Sequence, residues 1–240
     1  VVIHLAAITD AAGSVDKAEE LEANNFQSTL RVAEACIEAD VSLIALSSTS
    51  VYGTQNDKVD ENCSESELQP QSPYATTKLK EEELISNLSK EKGLKAIHCR
   101  FGTIFGASQG MRFHTAVNKF CWQAVMNQPI SVWTTAYDQK RPYLDLLDAS
   151  RAIAFIIKNN IFDGQIYNVL TSNATVRQVV DTIKEFVPNL EIEFVDNRIM
   201  NQLSYEVLCE RFKSKGFVFS GNMRRGIKET IDLLKQSNNL

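Results

Sequence analysis

The sequence predicts a doubly wound α/β fold on a parallel sheet, and three observations carry the prediction. Short apolar runs rich in β-branched residues alternate with longer segments of helical period, the pattern of buried parallel strands covered by helices. The early segments repeat in β-α-β-α order, for which right-handed crossovers are expected. The chain can also build a large core: it has 240 residues, 44% of them hydrophobic, with only ten Gly and five Pro.

Taken in order, Val1 to Leu5 reads as a buried strand running into the small residues Ala6 and Ala7. From Lys17 to Asp40, Leu21, Phe26, Leu30, Ala33 and Ile37 recur at loosely helical spacing. Val41 to Ser47 is a second strand, followed by a polar loop to Pro73. Residues 74–92 read as a charged helix that Gly93 terminates, and Leu94 to Phe101 as a third strand. Beyond Gly106 the rhythm is less regular. The pattern there predicts helices over 115–126, 146–159, 175–186, 204–214 and 223–235, with strands at 130–133, 165–169 and 190–195. Residues 1–110 are expected to form the main sheet domain and 111–240 mainly a smaller α/β lobe on its carboxyl edge, with some segments returning to the first domain.

Thirty acidic against twenty-five basic side chains give a net charge of -5, which offers no global field for a nucleic-acid backbone. Cysteines at 36, 63, 99, 121 and 209 form no CxxC pair and suit a reducing cytoplasm, and Cys36 and Cys99 read as small buried hydrophobes. No apolar run is long enough to span a bilayer, and no export signal is present. His4, His98 and His114 are scattered, so no metal is expected. The basic residues between Arg211 and Lys228 read as a solvated face.

The chemistry is concentrated in Ser72-Pro73-Tyr74-Ala75-Thr76-Thr77-Lys78. A helix starting near Pro73 puts Tyr74 and Lys78 one turn apart on one face. An ammonium there favours the phenolate and lowers the Tyr pKa from its ordinary value of about 10. The same spacing also occurs on plain solvated helices, so the pair gains meaning from its context. Upstream, Ser47-Ser48-Thr49-Ser50-Val51-Tyr52-Gly53 places hydroxyls at the carboxyl end of a strand, the ligand-facing edge of a parallel sheet.

In that order, strand, hydroxyl cluster and Tyr-helix-Lys resemble the extended short-chain dehydrogenase/reductases, specifically the NAD-dependent sugar-nucleotide epimerase/dehydratase family with its Rossmann-like fold. Further marks follow along the chain: His4-Leu5-Ala6-Ala7, Asn25 with Thr29-Leu30, Arg100-Phe101-Gly102 through Gly106, Arg141-Pro142-Tyr143 through Asp148, and Arg198. The resemblance implies that Tyr74 exchanges a proton with a sugar hydroxyl, that Lys78 bonds the nicotinamide ribose, and that Ser48 orients the reacting oxygen. It places cofactor contacts at Leu5, Ala6, Ala7, Ile8, Thr9, Asn25, Ser48, Tyr74, Lys78 and Gly102. Substrate contacts fall at Ser48, Thr49, Tyr74 and Thr103, with Arg141 and Arg198 gripping the diphosphate, a task suited to planar guanidinium forks. His114 and Asn118 stand either toward the sugar or in core or surface positions.

Departures narrow the reaction. Family dehydratases carry an adjacent Asp and Glu after the Ser or Thr, whereas this chain has Thr49 and Ser50, which disfavours elimination of water. Thr103 stands where many relatives have a substrate-binding Asn. The family's Gly-rich turn does not occur in these residues, and Gly102, Gly106 and Gly110, wrongly spaced for it, read as loop flexibility. The chain opens with Val1 inside a strand, so the fold is expected to be N-terminally incomplete, short of about two βαβ-scale units. The implied function is NAD-dependent epimerisation of a nucleotide-diphosphate sugar, most simply a 4-epimerase of UDP-glucose type. The alternatives are an NADP-dependent keto-sugar reductase and a non-catalytic nucleotide-sugar-binding module. Family resemblance further implies a homodimer formed through the 17–40 and 74–92 helices.

Overall fold

The computed structural model describes residues 1–9, 18–53, 58–196 and 205–238. The first half runs β1 (Val2–His4), α1 (Ala18–Glu38), β2 (Leu43–Ser48), β3 (Lys58–Val59), α2 (Pro73–Lys92), β4 (Ala96–Phe101) and β5 (Thr103–Phe105). Then follow α3 (Ala116–Val125), β6 (Ile130–Trp133), β7 (Lys140–Asp145), α4 (Leu146–Lys158), β8 (Ile166–Val169) and β9 (Ser172–Thr175). The last elements are α5 (Val176–Lys184), β10 (Ile192–Val195), β11 (Glu206–Val207), α6 (Glu210–Ser214) and α7 (Met223–Asn238).

A four-stranded, wholly parallel sheet in the order β1-β2-β4-β8 forms the frame. Its central strand β4 is buried at all six positions, although two of them are His98 and Arg100. On one face, Ala33 and Cys36 of α1 and Ile85 and Leu88 of α2 pack on Leu43, Ala45 and Ala96. On the other, Ala152 and Ile156 of α4 and an aromatic group of Phe155, Phe212 and Phe217 cover Ile44, Ile97 and Tyr167. A second core surrounds β6, β7, α3, α5 and α7. There β5, β7 and β9 make a three-stranded sheet, and β6 pairs with β10 in parallel. β8, from the second half of the chain, bonds directly to β4 and completes the first sheet.

Local chemistry explains the helix ends. Ser72 Oγ accepts from Ala75 N at 3.1 Å, Pro73 supplies the pre-set first turn, and Gly93 closes α2 in the left-handed region at φ 70°. α5 opens with a capping box between Thr175 and Gln178.

Two sequence expectations change. The buried stripe of α1 is Leu21, Asn25, Thr29, Ala33 and Cys36, rotated from the apolar stripe because two polar residues serve the end of β1. The helix expected over 204–214 is instead β11 followed by the short α6, because the backbone of Val207 exchanges two hydrogen bonds with the Asn173 side-chain amide and β11 pairs with β3. The short strands β3, β5, β9 and β11 carry too few residues to show a period of two.

Burial on β4 makes a prediction. The His98 side chain lies in the interior with no hydrogen-bond partner on Nε2, and burial lowers its pKa from 6.5 to about 4. The neutral ring is favoured in the fold, so the stability it contributes is complete above 6.5 and is lost as pH falls from 6.5 through 4. Urea unfolding at about pH 7 and about pH 4 is expected to show an acid loss that His98→Leu reduces by up to about 3 kcal/mol.

Candidate active site

In a parallel sheet the carboxyl ends of neighbouring strands share one edge, and here that edge carries the 5–9 loop after β1, the Ser48 turn after β2 and Gly102 after β4. Ser48 caps a 3-10 turn (Thr49–Tyr52): its Oγ accepts from Ser50 N at 3.2 Å and from Ser50 Oγ at 2.9 Å. The buried Thr49 hydroxyl donates to the Phe101 carbonyl at 3.3 Å and ties this turn to the end of β4.

Tyr74 and Lys78 lie on the first turns of α2, with Lys78 Nζ 5.9 Å from the Tyr74 ring centroid. The structure therefore brings these two together as the spacing predicts. It reverses the expected direction of the phenol, whose pKa is pushed up to about 12. Burial is the main cause and the Glu81 carboxylate adds to it, against a smaller opposing effect of Arg112. Lys78 does not act on the phenol alone, because its ammonium donates to Glu81 Oε2 at 2.8 Å and both side chains are only 6% exposed.

The 5–9 loop is open, with Leu5 60% exposed and Ala6 and Ile8 also exposed, while Ala7 and Thr9 are half-buried. Asn25 holds it from below: its Oδ1 accepts from Ile8 N at 2.8 Å and its Nδ2 donates to Ile8 O at 2.9 Å. Asn25 thus shapes the loop through both ends of its amide. Thr9 Oγ1 accepts from Arg112, which links the loop to the segment before α3. His4 Nε2 meets Thr29 Oγ1 at 3.1 Å, beneath the same loop.

Gly102 serves close approach, which replaces loop flexibility as the reason for glycine there. A Cβ would stand 3.1 Å from the Pro142 carbonyl, and its N donates to Val169 O at 3.0 Å. Thr103 opens β5 opposite Tyr143 of β7. Arg141 is half-buried on β7, donates to Gln139 Oε1 at 2.8 Å, and has its pKa lowered by burial. Arg198 lies outside the described residues, so no geometry joins it to Arg141. His114 is exposed, and the buried Asn118 spends Oδ1 on Gly106 N at 3.3 Å.

Sequence reading missed a buried network under this edge. Arg100 donates to both Glu82 oxygens, at 2.9 and 2.6 Å, with both side chains 3% exposed. Its guanidinium stacks 4.8 Å from the Tyr52 ring centre, and Tyr52 OH donates to Asn168 Oδ1 at 2.8 Å. Asn168 in turn donates to Leu208 O at 2.8 Å. The available signal was an arginine inside an otherwise apolar strand. Among the described residues, no helix is long and apolar enough to cross a membrane, and no three His, Cys, Asp or Glu side chains gather as metal ligands.

A profile of the NAD dependent epimerase/dehydratase family matches residues 1–169. The chain belongs to that family. A trifunctional UDP-glucose 4,6-dehydratase/UDP-4-keto-6-deoxy-D-glucose 3,5-epimerase/UDP-4-keto-L-rhamnose-reductase of Arabidopsis thaliana is 28% identical over 98% of this chain, which spans 36% of that protein's length. An uncharacterized UDP-glucose epimerase of Bacillus subtilis is 30% identical over 77% of this chain and 58% of its own length. Solved structures establish the fold. The Thermus thermophilus UDP-glucose 4-epimerase complex with NAD has a TM-score of 0.84 at 23% identity, covering 98% of this chain and 77% of that one. The Bacillus cereus UDP-glucuronic acid 4-epimerase, with UDP-glucuronic acid and NAD, gives 0.87 at 22% identity, covering 98% and 76%.

The ion pair under the edge is expected to carry much of the site's rigidity. Arg100→Met leaves Glu82 buried without its partner and is expected to cost roughly 3 to 5 kcal/mol in chemical denaturation, while Arg100→Met with Glu82→Leu recovers most of the loss.

Proposed function

We propose that this protein epimerises a nucleotide-diphosphate sugar, most simply at C4 of a UDP-hexose, with NAD as cofactor. The observation that carries the reading is the placement of Tyr74 with Lys78 on the first turns of α2, at the sheet edge that also holds the Ser48 turn. The donors at that edge suit a dinucleotide: hydroxyls at Ser48 and Thr9, exposed backbone at residues 5–9, and two Lys78 protons beyond the one given to Glu81. NAD bound there would supply a reversible hydride acceptor.

The chain's own residues do the rest. Tyr74 takes the proton from the sugar hydroxyl as the carbon is oxidised and returns it after the opposite face is reduced. Ser48 directs its hydroxyl at the same oxygen, Lys78 bonds ribose hydroxyls, and Arg141 with Arg198 neutralises the diphosphate. Thr49 and Ser50 support epimerisation over dehydration. Their hydroxyls are engaged with Phe101 O and Ser48 Oγ, and neither is a carboxyl that could serve elimination. With its phenol held protonated, Tyr74 is a ready acid and a scarce base, so kcat/KM is expected to rise with pH through the neutral range. The homodimer belongs to the same reading, with α1 and α2, joined by Lys80 and Glu22 at 2.6 Å, as its contact surface.

Purified protein incubated with NAD and either UDP-glucose or UDP-galactose is expected to interconvert the two, followed by NMR of the anomeric protons. Tyr74→Phe is expected to lower the rate by about 10² to 10⁴, and Ser48→Ala by less. Formation of a 4-keto-6-deoxy sugar, or binding of UDP-sugar without conversion, overturns the reading.

A further inference from the structure

The mechanism above uses Tyr74, Lys78 and Ser48 and leaves a buried carboxylate unexplained. Glu81 lies one turn beyond Lys78 on α2, with Oε2 2.8 Å from the ammonium and Oε1 buried without a hydrogen-bond partner. A carboxylate with an unanswered oxygen in the interior is costly. Stability alone gives no reason for it, because an apolar residue would fill the same space between the buried Thr77 and Ile85, one turn away on either side.

The charges around Tyr74 nearly cancel. On α2, Lys78 faces Glu81, and Glu82 is neutralised by Arg100 from β4. From β1, His4 is held toward its neutral form by burial, and from β4 so is His98. Arg112, on the segment before α3, is the remaining cation among the described residues that acts on the phenol.

We propose that Glu81 is a positioning residue for the acid/base step: by pairing with Lys78 it fixes the ammonium beside Tyr74 and cancels the charge that would otherwise ionise the phenol. The inference rests on the assignment of Tyr74 as the acid/base. Glu81 thereby sets the pH at which that tyrosine works, keeping it a proton donor until the pair is disturbed. A ribose that drew Lys78 away from Glu81 would alter the phenol's ionisation at the moment of binding.

The test reads the phenol directly, in protein without cofactor or substrate. Tyrosine labelled with ¹³C at the ζ carbon is followed by NMR against pH, with the Tyr74 resonance assigned by its loss in Tyr74→Phe. Glu81→Gln is expected to lower the Tyr74 pKa by about one unit or more while Tyr143 and Tyr205 stay in place. Glu81→Asp, which keeps the charge, is expected to stay near wild type. The acid limb of kcat/KM in Glu81→Gln then moves down by the same interval. A Tyr74 titration unchanged in Glu81→Gln overturns the proposal. So does a wild-type Tyr74 that ionises below the ordinary tyrosine value, a result that needs no variant to fold. A Tyr74 that shifts as expected in a protein turning over no nucleotide sugar supports the charge coupling and counts only against the epimerase reading.

Discussion

The arrangement depends on one ion pair that has no access to water. Arg100 projects from near the carboxyl end of β4 and can only remain charged there because Glu82 meets it with both oxygens. A fork-to-fork pair admits little rotation or sliding, so it sets how far along the sheet α2 lies. Tyr74 and Lys78 sit at the start of the same helix, one to two turns from Glu82, and inherit that register. Tyr52 stacks against the guanidinium and carries the constraint through Asn168 to Leu208, just after β11. Charge, and not apolar packing alone, locks helix to sheet beneath this edge.

A polar layer of this kind changes what a neighbouring lysine can do. In water an ammonium near a phenol favours the phenolate. Here Lys78 is buried against Glu81, the pair is neutral overall, and burial of Tyr74 outweighs the smaller opposing effect of Arg112. The same residue types at the same spacing therefore hold the phenol protonated where an isolated helix would favour its ionisation. The loop after β1 shows the same economy of parts. Asn25 reads as a ligand contact in the linear sequence, and in the fold its amide shapes the backbone at Ile8 from both ends.

Much of this was legible before any coordinates. The strands at 43–48 and 96–101 announce themselves through short, largely apolar runs between helical segments, and the ends of α2 through Ser72-Pro73 and Gly93. The hydroxyl turn follows from position in a parallel sheet, and the Tyr-Lys pair from one-turn spacing on a helix. Ion pairing was not legible. Glu81 and Glu82 stand in a run of charges that reads as a solvated helix face, and only the fold reveals that both are buried. The two-residue strands were hidden for another reason: β11 is held by Asn173 and by β3, contacts 34 and more residues away that leave no local period. Glycine at 102 answers a close approach of β7, again a tertiary demand.

The account stands or falls on whether the edge returns the hydride it removes to the same carbon. UDP-galactose carrying deuterium at C4, incubated with the protein and NAD in ordinary water, tests this most directly. The account predicts UDP-glucose with the deuterium still at C4, now on the opposite face. Product that has lost the label to solvent, or has lost the C6 hydroxyl, would contradict it.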